Sequence, residues 1–329
     1  MVTTPVFSAI KKQIPNVYLA ILVSKENRDL VEGNPFLDEV ILYDKQGSEK
    51  SLWRNYQFIR SLKAKKFDAV IHFHPRSRAY WISYLAGIPI RIGYRLKAHR
   101  LLTHAFPYRK PEGKKHEAKY NFDLLSLFGI DQPEKLELCI PLRDEHKEIV
   151  ERYLSDFGRY VVFNPSASSL SKIWPAAYFA TVADQLFERY GLTPVIIGGT
   201  QDKHSSDLMK KNMRSPFLDL TGKLKLGSLA WLFKQSEFLI SNDTGPVHIA
   251  AAVETPVLSI FGRNLAGLGP SRWRPLGEES HYIQKDVGCT ACLADACEIN
   301  FRCLKWLTPE EVLQTIERKF SLFEHEIKN

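Results

Sequence analysis

Short runs of apolar residues alternate with helical patterns along most of this chain. In the first half, strands are predicted at VYLAILV, EVILY, DAVIHFH and RIGY, with an amphipathic helix from Trp53 to Lys65 among them. The second half restarts the alternation with YVVFNPS, TPVIIGGT, LDLTG, FLISNDTG and TPVLSIFG. Alternation of this kind produces βαβ units and parallel sheets. We therefore predict an α/β protein with two Rossmann-like, doubly wound domains that face each other across a ligand cleft.

A change of composition marks the predicted boundary between the two domains. The stretch HEAKYNFDLLSLFGI is typical of a helix that ends at Gly129, and the stretch from Asp131 to Glu148 is rich in proline and charge. We place a first domain at residues 1–145 and a second at residues 146–329. The length of 329 residues is compatible with two domains or with one large domain.

The sequence gives no sign of membrane insertion or export. No apolar run approaches the roughly 18 residues that a membrane-spanning helix needs. The start, MVTTPVFSAIKKQIPN, lacks the basic head and long apolar stretch of a signal peptide. We therefore expect a cytoplasmic protein.

The positive charge of the chain is concentrated in one stretch. The net charge is +8, and nine Lys or Arg residues stand against two Glu residues between Arg91 and Lys119. Such a cluster favours an anionic partner: nucleic acid, an acidic lipid surface or a phosphorylated sugar. A solvated loop is an equally good interpretation. Because no zinc-finger or RNA-recognition signature is present, we do not expect nucleic-acid binding.

Four of the five cysteines lie in the short stretch DVGCTACLADACEINFRC. They are Cys289, Cys292, Cys297 and Cys303. The initial C-x2-C spacing suits zinc or an iron–sulfur cluster. The alternative is a group of reduced thiols that shape a loop. We predict no metal and keep these four residues as the alternative ligand set, since nothing else in the sequence resembles a metalloenzyme site.

Polar residues follow two predicted strands of the second half in a pattern that suits a phosphate ligand. The loop NPSASSLSKIWP carries Ser166 and Lys172, and small hydroxyl residues with a lysine can wrap a diphosphate. An ordinary serine-rich turn is the alternative. After the next strand, paired glycines precede Asp202, which can accept from a ribose hydroxyl or cap the following helix.

The stretch SNDTGPVHIAAA, residues 241–252, gives the strongest signal. Asp243 can cap a helix, and Thr244 and Gly245 can present free N–H groups to a phosphate at the helix N-terminus. His248 lies one turn in and can donate to the same phosphate. A plain capped helix is the alternative. Neither G-x-x-x-x-G-K-[ST] nor G-x-G-x-x-G occurs, so this is a diphosphate site of another kind, without an obvious metal.

The stretch SNDTGPVHIAAAVETPVLSIFG resembles the signature of glycosyltransferase family 9, the lipopolysaccharide heptosyltransferases. Other stretches agree in the same order, namely TTPVFSAIKKQIPN, FDAVIHFH, IRIGY, VIIGGTQD and LDLTGK. The cysteine segment that ends in CLKWLTPEEV resembles the tail of heptosyltransferase II-like members. The resemblance covers nearly the whole chain, and DTGPVH is its most specific motif.

This resemblance implies a GT-B fold in which the first domain binds the acceptor and the second binds the donor. It implies an inverting transfer of heptose from ADP-heptose to the inner core of lipopolysaccharide, without a cofactor. Two alternatives stay open. One is a family member that uses another sugar nucleotide, and the other is a catalytically inactive homologue that binds a nucleotide sugar or an anionic glycolipid.

Carried over residue by residue, the resemblance implies roles for the residues chosen above. Lys172 balances the charge of the leaving ADP, and Asp202 lies near the nucleoside. The implied donor-binding set is Ser166, Lys172, Asp202, Asp243, Thr244, Gly245 and His248. Positive groups and a helix end can stabilise the leaving phosphate.

The resemblance also implies a function for the basic residues of the first half, namely binding of an anionic acceptor. Inner-core acceptors carry carboxylates and phosphates and lie at the cytoplasmic membrane face, so we expect peripheral contact with the inner membrane surface. The candidates for binding the acceptor are Arg76, Arg78, Arg95 and Lys97. His72 and His74 follow a predicted strand, where they either face the acceptor or belong to the core.

The catalytic base is the one expected feature that the sequence does not contain. Family members usually carry a Gly-Asp turn directly before the stretch that appears here as TTPVFSAI, and its Asp takes the proton from the acceptor hydroxyl. Here that stretch begins at Thr3, so the expected Asp lies upstream of Met1. A misassigned start, a truncated inactive form and a different carboxylate are the possible explanations, of which we favour the first.

Overall fold

The computed structural model describes residues 1–44, 51–155, 157–289 and 291–320. The chain divides into two compact units, a first unit of Val2–Leu136 and a second unit that begins at Glu137 and also takes in Met1. Residues 137–145, which the composition assigned to the first domain, therefore group with the second unit. The indole Nε1 of Trp231 donates to the carbonyl of Arg143 over 2.8 Å, which ties this segment to the helix that carries Trp231.

The first unit contains the strands that the alternation predicted and one further short strand, His104–Phe106, that it did not. β1 pairs with β2 in one parallel sheet, and β3, β4 and β5 form a second parallel sheet in that order. The strands are β1 Ala20–Val23, β2 Glu39–Leu42, β3 Ala69–Ile71, β4 Ile90–Tyr94 and β5 His104–Phe106. The helices are α1 Thr4–Gln13, α2 Leu52–Ala64, α3 Ser77–Leu85 and α4 Glu117–Asp123.

A buried ion pair fixes α4 to the end of β3. Lys110 Nζ lies 2.5 Å from Glu117 Oε1, and each of the two side chains is only 1% exposed. The same ammonium donates to the carbonyl of Phe73 over 3.0 Å and to Asn121 Oδ1 over 3.1 Å. A buried charge is tolerated only with such partners, so this network holds the segment after β3 in place.

The second unit is built on one parallel sheet with the strand order β11-β10-β9-β6-β7-β8. Its strands are β6 Tyr160–Asn164, β7 Thr193–Ile196, β8 Leu218–Asp219, β9 Leu239–Asn242, β10 Val257–Phe261 and β11 Ser280–Gln284. The chain runs outward from β6 in one direction and then from β9 in the other. In an open α/β sheet, ligands bind at such a switch point, beyond the carboxyl ends of the two strands.

Helices enclose this sheet and complete the apolar core. Phe179, Val182 and Leu186 of one long helix are fully buried against the strands, together with Val312 and Ile316 of the last described helix. The helices are α5 Asp144–Leu154, α6 Ala176–Tyr190, α7 Lys203–Asn212, α8 Leu226–Gln235, α9 Gly245–Ala252, α10 Pro270–Trp273, α11 Arg302–Lys305 and α12 Pro309–Lys319. Among the described residues, no helix is both long and apolar enough to cross a membrane.

Candidate functional site

Polar side chains join the two loops that leave the switch point of the second unit. Asn164 is the last residue of β6, and its Nδ2 donates to Ser241 Oγ over 3.0 Å and to Thr244 Oγ1 over 2.8 Å. Asn242, the last residue of β9, accepts at Oδ1 from the backbone N–H of Trp174 over 3.0 Å. The loop after β6 and the start of α9 therefore have fixed positions relative to each other.

An ion pair lies where these two loops meet. Lys172 Nζ is 2.7 Å from Asp243 Oδ2, and it also donates to the carbonyl of Asp243 over 3.0 Å. The two side chains are 19% and 5% exposed. Burial raises the pKa of Asp243, while the positive charges of Lys172 and Arg263 oppose that shift. A sheltered carboxylate with a perturbed pKa beside a lysine is characteristic of functional sites.

The start of α9 differs from the sequence-based expectation. The residue that caps the helix is Thr244, and its side chain makes no capping hydrogen bond. The prediction that Asp243 caps this helix is therefore wrong, because its carboxylate turns toward Lys172. The first N–H groups of any α-helix lack intrahelical partners and attract anions. A Cβ added at Gly245 would meet no described atom within 4 Å, so the space on that side of the first residue of α9 is open.

Ser166 and His248 also lie at this switch point. Ser166 Oγ donates to Asn164 Oδ1 over 2.9 Å, and the carbonyl of Ser166 accepts from Asn242 Nδ2 over 3.4 Å. His248 lies in the second turn of α9, with its ring centroid 6.5 Å from that of Trp273. The structure thus brings five of the predicted donor-binding residues to the loops after β6 and β9, and it adds His248 one turn into α9.

Asp202 has a structural partner of its own. Its Oδ2 accepts from the backbone N–H of Gly199 over 2.7 Å, which closes the turn between β7 and α7. Asp202 stands at the N-cap position of α7, but its side chain makes no capping hydrogen bond to that helix. A role near the nucleoside stays a prediction.

The predicted acceptor residues lie at one edge of the first unit. Arg76 and Arg78 flank the start of α3, after β3, while Arg95 and Lys97 follow the neighbouring strand β4. All four side chains belong to exposed residues. Ser77 Oγ donates to the carbonyl of Lys97 over 3.4 Å, which links the two groups.

A cavity of about 570 Å³ opens beside this basic edge. Its lining includes Arg95 and Lys97 together with Trp81, His99 and Arg100. The sequence analysis did not select Trp81 or Arg100. Arg100 lies inside the basic stretch, but the half-exposed position of Trp81 follows from the packing of α3, which buries Tyr80 and Ile82 instead.

His72 and His74 have different environments. His72 is 8% exposed, its Nε2 lies 3.1 Å from Ser83 Oγ, and its ring packs edge-on against Tyr80. Burial, aided by the charge of Arg91, lowers the pKa of His72 to about 4. His72 is thus a neutral core residue, as the second interpretation proposed, whereas His74 is exposed.

The cysteines of the second unit support the loop-shaping interpretation. Cys303 Sγ donates to the carbonyl of Gly262 over 3.1 Å, and Cys297 Sγ accepts from the backbone N–H of Phe301 over 3.3 Å. Across the described ranges, no group of three or more His, Cys, Asp or Glu side chains is arranged to hold a metal ion. Cys297, Cys292 and Cys289 lie near enough to Cys303 to add to the rise that burial causes in its pKa. The alternative ligand set of Cys289, Cys292, Cys297 and Cys303 stays a prediction.

Two further charged residues reach the loop after β6, and neither was selected from the sequence. Arg263 follows β10, and its Nε donates to Ser171 Oγ over 2.7 Å. Asp295 accepts from Ser171 Oγ over 2.7 Å and from Arg263 Nη2 over 3.2 Å. For Arg263 a signal was available, because in TPVLSIFGRN it closely follows a buried strand, and polar residues in that position identified the other strand ends.

Comparison with known proteins shows which family this chain is similar to. The family model "Glycosyltransferase family 9 (heptosyltransferase)" matches residues 55–301. Lipopolysaccharide heptosyltransferase 3 of Escherichia coli is 25% identical over 273 residues, which covers 80% of this chain and 79% of that protein.

Solved structures share the fold along almost the whole chain. A glycosyltransferase family 9 protein from Veillonella parvula aligns with a TM-score of 0.83 and 23% identity, covering 97% of this chain and 93% of that chain. The ADP-heptose lipopolysaccharide heptosyltransferase II of Escherichia coli aligns with a TM-score of 0.81 and 20% identity, covering 98% and 95%. The predicted GT-B fold class is confirmed. The family model spans about three quarters of the sequence, and the chain belongs to glycosyltransferase family 9, the heptosyltransferase family.

Proposed function

We propose that this chain transfers heptose from ADP-heptose to the inner core of lipopolysaccharide, with inversion at the anomeric carbon. The observation that carries the proposal is the Lys172–Asp243 pair at the N-terminus of α9, 2.7 Å apart at the switch point of a parallel sheet. The name of the Escherichia coli neighbour, an ADP-heptose heptosyltransferase, supports the choice of donor.

In the proposed mechanism, the N-terminal amides of α9 and the ammonium of Lys172 bind the diphosphate of the donor. Negative charge grows on this diphosphate as the bond to the anomeric carbon breaks. Positive groups already in position stabilise that charge without further reorganisation. Asp243 holds Lys172 at this place through two contacts, and His248 supplies a further ring N–H one turn along the helix.

The acceptor hydroxyl attacks the anomeric carbon from the face opposite the diphosphate, which inverts the configuration. The hydroxyl must lose its proton during this attack, and a positioned general base has to accept it. We do not assign that base to any residue of the site described above.

For the acceptor, we propose that the basic edge of the first unit binds the carboxylates and phosphates of the inner core. Arg76, Arg78, Arg95 and Lys97 supply four cations at the carboxyl ends of two adjacent strands. Guanidinium and ammonium groups bind such anions through charge-assisted hydrogen bonds. Peripheral contact with an anionic membrane surface would bring this edge close to a lipid-linked acceptor.

A transfer assay tests the proposal. The protein is incubated with ADP-heptose and an inner-core acceptor that lacks its next heptose, and the product is followed by mass spectrometry. The expected result is addition of one heptose, with an inverted anomeric linkage by NMR. Transfer from another sugar nucleotide in preference to ADP-heptose would contradict the proposed donor. Tight donor binding without transfer would favour the inactive homologue.

A further inference from the structure

The loop that carries Lys172 is held by a second pair of charged residues. We call residues 166–172 the serine loop and residues 291–303 the cysteine segment. Arg263 Nε donates to Ser171 Oγ over 2.7 Å, and its Nη2 donates to Ser169 Oγ and to Asp295. Asp295, which lies in the cysteine segment, accepts at Oδ1 from the hydroxyls of Ser169 and Ser171. The two charges thus bind the same pair of hydroxyls.

A second contact fastens the cysteine segment to the serine loop. A Cβ added at Gly262 would lie 2.4 Å from the carbonyl oxygen of Ser171 and 2.8 Å from the side chain of Leu304. Only a glycine allows this approach. Cys303 Sγ donates to the carbonyl of the same Gly262 over 3.1 Å. The cysteine segment therefore meets the serine loop through Asp295 and, at its far end, through the close packing around Gly262.

We propose that Arg263 and Asp295 are positioning residues, which hold Ser169 and Ser171 so that Lys172 stays aimed at the donor diphosphate. Lys172 directly follows Ser171, so the position of its ammonium depends on the backbone that the two hydroxyls anchor. The inference rests on the proposed donor site and adds to it two residues that act through the serine loop. It also gives the cysteine segment a purpose that needs no metal.

The exposed fractions of Arg263 and Asp295 indicate whether loss of Asp295 should affect the stability of the fold or the position of the serine loop. The side chain of Asp295 is 62% exposed and that of Arg263 is 12% exposed. The carboxylate of Asp295 is largely exposed, so water and salt screen its charge and its loss should cost little overall stability. The hydroxyls of Ser169 and Ser171, followed by the charge of Arg263, hold the pKa of Asp295 down to about 2. Asp295 is therefore charged at every pH used for assays, and its loss should affect the loop more than the fold.

The test compares Asp295→Asn with Glu298→Gln, an exposed carboxylate of the same segment. ADP affinity is measured by calorimetry, and amide hydrogen exchange of residues 166–172 is followed by mass spectrometry without ligand. We expect Asp295→Asn to weaken ADP binding about tenfold and to speed exchange in the serine loop, with an unchanged melting temperature. Glu298→Gln should change neither quantity. Arg263→Lys, which keeps a donor and a charge, should retain more affinity than Arg263→Met.

The outcomes separate this inference from the proposed function. Faster exchange in Asp295→Asn, in a protein that binds no ADP at all, would support the positioning role and reject the donor site. Wild-type ADP affinity and unchanged exchange in Asp295→Asn would overturn the inference and leave the donor site intact. If Asp295→Asn does not fold, Ser169→Ala removes one anchored hydroxyl while keeping both charges, and the same two measurements decide.

Discussion

The side-chain amide of Asn164 donates to the hydroxyl of Thr244 over 2.8 Å, although 80 residues separate the two in the chain. This contact joins the end of β6 to the start of α9 at the switch point, where the chain begins to add strands on the other side of β6. Asn164 is 2% exposed, so its hydrogen bonds form away from water. We expect the geometry of the proposed donor site to depend on this bond as well as on the residues that bear charge.

Replacement of Asn164 tests that dependence. Asn164→Ala leaves the hydroxyls of Thr244 and Ser241 without their buried donor, and such a loss costs about 1–3 kcal/mol. We expect the free energy of unfolding to fall by this amount in denaturant titrations, with an unchanged m-value. Asn212→Ala, an exposed asparagine of the same unit, is the control. Equal stability of the two variants would show that the Asn164 hydrogen bonds do not hold the loops.

Charge removal at the basic edge should affect the acceptor and not the donor. We expect Arg95→Ala combined with Lys97→Ala to raise the KM for the acceptor about tenfold or more, because two charge-assisted contacts are lost. The KM for the donor should stay the same. Lys63→Ala with Lys66→Ala removes two cations elsewhere in the first unit and serves as the control. A rise in donor KM, or equal effects in both double variants, would contradict the acceptor assignment.

His72 should make the protein sensitive to mild acid. Its folded pKa of about 4 lies below the usual 6.5, so the unfolded chain binds this proton more readily than the folded one. Its stabilising contribution is present above pH 6.5 and is lost as the pH falls toward 4. We expect about 2 kcal/mol less stability at pH 5 than at pH 7.5 from this residue. The difference should disappear in His72→Gln, and its persistence there would assign it to other groups.

The buried Lys110–Glu117 pair should be far more important for folding than an exposed pair nearby. Glu117→Gln removes the carboxylate that pairs with the buried ammonium of Lys110, and breaking a buried pair in this way costs about 3–5 kcal/mol. Asp123→Asn breaks a 2.7 Å pair with Lys115, but both of those side chains are more than 40% exposed. That control should lose less than about 1 kcal/mol. Chemical denaturation of the two variants makes the comparison, and similar losses would refute the role of the buried network.

The polar residues of the site loops could be predicted from the sequence, but the order of the strands could not. The polar residues after β6 and β9 were predictable, because a buried apolar run that ends in Asn, Asp or Ser marks the carboxyl end of a strand. Lys172 and Asp243 were chosen from separate motifs, and the structure places them 2.7 Å apart. The two residues meet because β6 and β9 are neighbours in the sheet. The order of strands in a sheet cannot be predicted from one sequence alone.

The points that the sequence analysis missed, misassigned or left open have physical causes. An Asp between a strand and a helix usually caps the helix, but at Asp243 a lysine 71 residues earlier in the chain competes for the carboxylate. Asp295 lies 126 residues from Ser169, so no local pattern could connect them. His72 follows a strand as many site residues do, and only the packing of Tyr80 and Ser83 around it shows that it belongs to the core.

The most direct test of the account is ADP binding by calorimetry to the wild-type protein and to Lys172→Met, with UDP as the competing ligand. Lys211→Met, an exposed lysine of α7, is the matched control. We expect ADP to bind more tightly than UDP, and Lys172→Met to weaken ADP about 10- to 100-fold while Lys211→Met does not. Unchanged ADP affinity in Lys172→Met would mean that the diphosphate binds elsewhere and that the proposed donor site is wrong.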